Sequence, residues 1–217
     1  MKDRNRMQAS TPLFSSTGSN NNEPGRARRQ RLRTRLIAVR DALSAAEHAD
    51  KSRAIEATLS ALLARMMPTV IGFCWPVRSE FDARPLLTAW LLGARERRAA
   101  LPAVTDLNGL LEFRRWAPDC ALAPDLCGIP APVERITATP DLLLIPLVGF
   151  DAAGYRIGYG GGYFDRTLAV MRPRPYAIGV GFEQCRVVDV EPEPHDVRLD
   201  AIVTESGVVF ETPRREG

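Results

Sequence analysis

Leu32, Leu36, Val39 and Leu43 fall on one stripe at about 100° per residue, which predicts a helix over 28–43. Arg29, Arg33 and Arg40 cluster beside that stripe. They suit either a solvated flank or a set of cations projecting past the core contact toward a ligand. Ser44 and Glu47 have capping-box spacing, so a second helix is expected over 45–66, with Pro68 ending it. The apolar run 69–75 reads as a buried strand. Pro85 stands where a helix can start, and 86–98 is amphipathic. Short strands are predicted over 99–101 and 110–116, with Phe113 a candidate pocket residue. The stretch 117–140 is rich in Pro, Ala and Asp and reads as loop. The most apolar strand covers 142–148, a helix follows over 163–171, and strands over 176–182, 201–204 and 208–210 complete the set.

Strands alternating with helices predict an α/β fold of three layers, with helices on both faces of a mostly parallel sheet. In such folds ligands gather at the carboxyl ends of the strands. Ser15, Ser16, Asn20, Asn21, Asn22, Pro24 and Gly25 leave little to bury, so 1–27 is expected to be a disordered N-terminal extension and 28–217 a single domain. Met7 offers an alternative start, and Asp3 and Glu23 are untypical of a transit peptide.

Composition narrows the class. A chain of 217 residues with 45% hydrophobic residues suits one globular domain. A net charge of +3 is too mild to argue for a nucleic-acid protein. Cys74, Cys120, Cys127 and Cys185 are scattered without a CxxC pair, which points to reduced cysteines rather than a zinc site. No apolar run has the length of a membrane span, and the first residues lack the apolar core of a signal peptide. A cytoplasmic location, without membrane or nucleic-acid partners, is therefore expected.

The chemistry concentrates between residues 149 and 166. Six glycines fall in the fourteen positions from Gly149 to Gly162, between an apolar strand and a helix. Backbone without side chains lets N–H groups approach an anion, and the helix that follows presents its positive end. Arg156 and Arg166 can clamp phosphate oxygens, and Asp165 can hold a divalent cation. Neither GxxxxGK[ST] nor GxGxxG fits, so a tight turn without ligand is the bland alternative. Trp75 and Glu80 fall just beyond a predicted strand, where an indole can stack on a flat heterocycle and a carboxylate can accept its N–H donors. Core packing and exposure to water are the plainer readings of these two. Asp196 can join Asp165 at Mg²⁺. His195 is either a general acid–base or an exposed loop residue, and His48 is read as surface. No serine or cysteine is placed beside a base, so no covalent nucleophile is expected. Positioning and charge neutralisation, as in phosphoryl transfer, suit this residue set.

The segment Gly149 to Arg166 resembles the signature of 5-formyltetrahydrofolate cyclo-ligases, roughly G-x-x-F-D-x-x-G-x-R-L-G-x-G-x-G-Y-Y-D-R. Arg29-Gln30-Arg31-Leu32-Arg33 resembles that family's basic first helix, and Trp75 to Asp82 its Glu-centred strand end. His195-Asp196, followed by Asp200 to Glu205, resembles its late Asp turn. Coverage runs from about Arg28 to Thr204. Arg29 stands where many members have lysine, Phe164 where a second tyrosine is common, and Ile157 where leucine is usual.

The resemblance implies ATP- and Mg²⁺-dependent closure of 5-formyltetrahydrofolate to 5,10-methenyltetrahydrofolate, with release of ADP and phosphate. It implies ATP contacts at Arg29, Arg33, Arg156, Ile157, Gly158, Tyr159, Gly160, Gly161, Gly162, Tyr163 and Phe164. The folate would meet Trp75, Glu80 and the loop Tyr159 to Tyr163, and Asp165 and Asp196 would hold Mg²⁺. A monomer is adequate for such a site. Two other classes compete: a sugar-phosphate or CoA-ester enzyme using the loop for phosphate alone, and a nucleotide- or RNA-binding regulatory protein using the basic helix.

Overall fold

The computed structural model describes residues 25–212. Up to residue 24, the expected disordered extension lies outside them. Gly25 to Ala27 open the first helix, so that helix starts earlier than its apolar stripe suggests.

The capping box forms as read. Ser44 Oγ accepts from Glu47 N, and the Glu47 carboxylate accepts from Ser44 N at 3.0 Å. This box separates α1 (Gly25–Asp41) from α2 (Ala45–Met66), and Met67, left-handed at φ 50, closes α2. The chain continues through β1 (Val70–Phe73), α3 (Arg84–Leu92), β2 (Arg98–Val104) and β3 (Leu111–Trp116). Two short strands follow, β4 (Leu122–Pro124) and β5 (Pro130–Pro132). Next come β6 (Leu142–Pro146), β7 (Gly149–Phe150), β8 (Arg156–Ile157) and α4 (Tyr163–Val170). The chain closes with β9 (Tyr176–Val180), β10 (Ala201–Thr204) and β11 (Gly207–Glu211).

Seven strands form one sheet in the order β11-β10-β9-β6-β1-β2-β3. The five inner strands are parallel, and the two edge strands run antiparallel to their neighbours. Strand alternation sorts the core. Ile71, Phe73, Leu142, Leu144, Ile178 and Val203 face α2 and α3, where Ile55, Leu59 and Leu87 are fully covered. Leu143, Ile145, Ala177 and Ile202 face the other way, against Leu168 of α4 and Phe150. The expected three-layer α/β architecture is thus present. α1 lies outside those layers. Its Leu36 and Ile37 pack on Val148, Ile157, Cys185 and Val187 beyond the carboxyl end of β6. Gly149 makes this approach possible, because a Cβ there would stand 2.4 Å from Leu36 Cδ1.

Three predicted elements change. The helix expected over 86–98 stops at Leu92, where the Gly93 N–H turns back to Trp90 O and the Arg97 guanidinium donates to the same carbonyl at 2.7 Å. Part of the expected loop 117–140 pairs as β4 and β5, with the Asp125 carboxylate accepting from the N–H groups of Cys127, Ile129 and Val104. Before the glycine turn, β7 and β8 form a hairpin whose bend is closed by Asp151, which accepts from the Ala153, Tyr155 and Val190 N–H groups.

Candidate active site

The hairpin β7–β8 delivers the glycine segment to the carboxyl end of the sheet, and α4 leaves from it. Gly160 and Gly162 hold φ 96 and φ 65, left-handed values that a side chain disfavours. Gly162 caps α4 without a side-chain hydrogen bond. Among the described residues, none of the N–H groups from Tyr159 through Tyr163 donates a hydrogen bond within the protein. Consecutive unpaired N–H groups at a helix N-terminus form an anion cradle.

α1 supplies cations to this cradle. Arg33 Nε donates to Gly158 O at 2.6 Å, and its guanidinium lies so near Gly160 that a Cβ there would sit 3.2 Å from Nη2. Burial, with repulsion from Arg29, lowers the Arg33 pKa. Arg29 Nη1 donates to Asp196 Oδ2 at 2.5 Å, and that hydrogen bond raises its pKa despite burial. Arg166 Nη1 donates to Gly161 O at 2.8 Å, and the guanidinium covers the Tyr163 ring.

Other residues expected on the nucleotide point inward. Arg156 is 7% exposed and donates to Val197 O and to Asp165 Oδ1, both at 2.8 Å, so it braces the loop that carries Asp196. Ile157 is fully buried under α1, and Phe164 packs into the second core cluster. The side chains of Ile157 and Phe164 therefore belong to packing, and only their backbone is left for a ligand. Phe113 is core as well, not pocket lining.

Beside the cradle lies a small, partly open pocket walled by Phe73, Cys74, Glu80, Phe81, Leu144 and Val180. Glu80 is 5% exposed, which overturns its reading as a water-exposed carboxylate. Its Oε2 accepts from Val77 N at 3.0 Å and its Oε1 from the Tyr159 hydroxyl at 2.7 Å. Burial raises the Glu80 pKa, against those hydrogen bonds and the nearby Arg40 charge. The Tyr159 phenol is pushed up by burial and by Glu80, and the Cys74 thiol by the same two causes. Trp75 packs against the main core while Arg84, held in two contacts by Asp82, lies 4.2 Å from the ring centroid.

Two residues here had no clear signal in the sequence. Arg40, visible only as one of three flank arginines, is 2% exposed and reaches Glu80, Tyr159 and Leu147 O from α1. His48, read as surface, is half-buried: its Nε2 is 3.1 Å from Ser79 O and its ring 5.1 Å from Phe182. Arg78 and Ser79 both have left-handed φ, 47 and 57, and the bonds from Arg40 and His48 tie down their carbonyls. His195 stands exposed beside Glu193.

The carboxylates expected at Mg²⁺ are already engaged. Asp165 Oδ1 accepts from Arg156 and from Val197 N, while its Oδ2 accepts no hydrogen bond among the described residues. Asp196 pairs with Arg29 and accepts from Glu193 N at 2.7 Å. Burial pushes the Asp196 pKa up, but these bonds outweigh it and hold the carboxyl below the usual aspartate range. The described residues hold no group of three or more His, Cys, Asp or Glu able to enclose a metal. Such a sparse donor set would suit only a cation that arrives with phosphate oxygens and water, with Asp165 Oδ2 the carboxylate oxygen left open to it. It does not fit one caged by protein alone.

Unpaired loop N–H groups beside a small, partly open pocket, at the carboxyl ends of parallel strands, place the candidate site where α/β folds gather their ligands. The family model for the 5-formyltetrahydrofolate cyclo-ligase family matches residues 25–205, and the chain belongs to that family. A 5-formyltetrahydrofolate cyclo-ligase of Haemophilus influenzae is 27% identical over 79% of this chain and 95% of its own length. One of Escherichia coli K12 is 33% identical over 59% of this chain and 74% of its own length. The solution structure of Aquifex aeolicus 5,10-methenyltetrahydrofolate synthetase superposes with a TM-score of 0.72 at 27% identity, covering 87% of this chain and 96% of that one.

Proposed function

We propose that this protein closes 5-formyltetrahydrofolate to 5,10-methenyltetrahydrofolate at the expense of ATP. One observation carries the reading beyond family membership. Tyr159 stands within the anion cradle and its hydroxyl donates to Glu80 in the pocket, so a phosphate and a pterin held by these two features would meet. Unpaired N–H groups of the loop, with Arg33 and Arg29, receive the triphosphate. Glu80 accepts the N–H donors of the pterin, and the Trp75 indole borders its ring.

A formyl oxygen on nitrogen is a weak nucleophile, so alignment with the γ-phosphate does most of the work. An O–P bond forms from the formyl oxygen as the bond from the γ-phosphorus to ADP breaks. N10 then attacks the formyl carbon, the carbon–oxygen bond breaks, and phosphate leaves with the former formyl oxygen. N10 loses its proton, giving the cyclic methenyl cation. Asp165 Oδ2, with Asp196 if Arg29 released it to bind phosphate, would hold Mg²⁺, which would supply charge neutralisation. Arg156 keeps Asp165 in place through both of its hydrogen bonds. A monomer working in the cytoplasm, without nucleic acid or membrane, fits a site made within one domain. Among the described residues, no helix is long and apolar enough to cross a membrane.

The test is direct. Protein mixed with 5-formyltetrahydrofolate, ATP and Mg²⁺ should generate the methenyl absorbance, with one ADP released per ring closed. Folded protein that yields no absorbance change with all three present removes the proposal.

A further inference from the structure

Among the described residues Arg40 is the most completely buried charged side chain, and its one contact with the cradle loop is to the Tyr159 hydroxyl. Its Nε donates to Arg78 O at 2.8 Å and its Nη1 to Leu147 O at 3.0 Å. Nη2 donates to the Tyr159 hydroxyl oxygen at 2.7 Å, and Nη1 lies 3.8 Å from Glu80 Oε1. A guanidinium can only donate. The Tyr159 oxygen must therefore accept from Arg40, and its single proton goes to Glu80 Oε1, as the 2.7 Å contact shows. The direction of the relay is fixed: Arg40 to Tyr159 to Glu80.

We propose that Arg40 is a positioning residue for the pterin pocket, holding the Glu80 carboxylate ionised and oriented to accept two adjacent N–H donors of the ring. The inference rests on the folate reading and deepens it. With Oε1 accepting from Tyr159 and Oε2 from Val77 N, each carboxylate oxygen keeps a lone pair for one ligand N–H. A protonated Glu80 would present a hydroxyl to one of those donors and repel it. Burial drives the carboxyl toward that neutral form, and Arg40 is the fixed positive charge that opposes it. The other titratable groups around it supply no such charge. The Cys74 thiol is held neutral, Tyr159 is a neutral donor, and the His48 ring bonds Ser79 O rather than the carboxylate.

The experiment is calorimetric titration of 5-formyltetrahydrofolate without nucleotide, between about pH 6 and 9, for wild type, Arg40→Met, Arg40→Lys and Tyr159→Phe. Wild-type affinity should change little across that range. Arg40→Met should bind at least about tenfold more weakly at the acid end and recover as pH rises, since each unit of pKa above the working pH removes about tenfold of the ionised carboxylate. Arg40→Lys, which keeps the charge, should stay close to wild type in its pH profile. ATP binding by Arg40→Met, titrated separately, should stay within about twofold of wild type, because lost packing alone would weaken both ligands at every pH. If Arg40→Met fails to fold, Tyr159→Phe carries the test, since it cuts the relay at the hydroxyl and should show a smaller pH-dependent loss of the same sign, Arg40 Nη1 staying 3.8 Å from Glu80 Oε1. Pterin affinity independent of pH in these variants overturns the proposal while leaving the folate reading intact. Wild-type protein that binds no 5-formyltetrahydrofolate overturns both.

Discussion

Gly160→Ala separates the cradle from the scaffold that carries it. Gly160 has φ 96, and an added Cβ would lie 3.2 Å from Arg33 Nη2 and 3.3 Å from Arg33 Cζ. A left-handed backbone costs an alanine about 1–2 kcal/mol, and loss of unfolded-state freedom offsets about half of that. About 1 kcal/mol is thus lost, or roughly 2–4 °C in Tm for a domain of this size. Function should suffer more. Arg33 is already committed to Gly158 O at 2.6 Å, so the few tenths of an ångström by which it must yield to the methyl shift its guanidinium relative to the loop. A charge-assisted hydrogen bond lost to phosphate is worth about 1.5–3 kcal/mol, which raises the ATP KM roughly ten- to a hundredfold. Gly207→Ala is the matched control: its φ is 101 and nothing lies within 4 Å of the added atom. Both variants should melt a few degrees early, and only Gly160→Ala should lose ATP affinity in steady-state assays. Equal effects on ATP KM in the two, or none in either, would refute the assignment of this loop to phosphate.

Arg33→Ala should raise the KM for ATP more than that for folate, and the opposite order would contradict the placement of α1. Asp196 has a depressed folded-state pKa, so its link to Arg29 contributes in full above the ordinary aspartate range and is lost as pH falls through the depressed value. The protection of α1 amides against hydrogen exchange, corrected for the intrinsic pH dependence of exchange, should therefore fall in acid in the wild type and should already be low at neutral pH in Asp196→Asn. Cys185 is buried with its thiol pushed up to about 11, whereas Cys127 is exposed. A thiol reagent at neutral pH should label Cys127 first and Cys185 last, read by peptide mass spectrometry.

Local signals carried most of the architecture. The Ser44–Glu47 box and the apolar runs at 69–75 and 142–148 are decided within a few residues, and the strands and α2 lie where those patterns put them. The open, glycine-rich turn was legible because backbone without side chains is written directly as glycine. Arg40 was not, since what it holds, Leu147 O and the Tyr159 hydroxyl, stands 107 and 119 positions away. The same applies to His48, whose partner Ser79 is fixed only by a turn with two left-handed residues. The partners of Arg156 were hidden for a related reason. An arginine among glycines suggests phosphate, but tertiary packing places Asp165 and Val197 O around it first. The early end of α3 and the β4–β5 pair depend on single side chains, Arg97 and Asp125, closing turns that composition describes only as polar.

α1 fastens to the end of the chain as well as to its middle: Arg29 meets Asp196 across 167 positions of sequence. During synthesis the first helix thus leaves the ribosome long before the turn that anchors its arginines exists. The sheet can begin to pair while the cleft still lacks one wall. A nascent chain stalled before Asp196 would carry the glycine turn without the latch that sets Arg29 beside it.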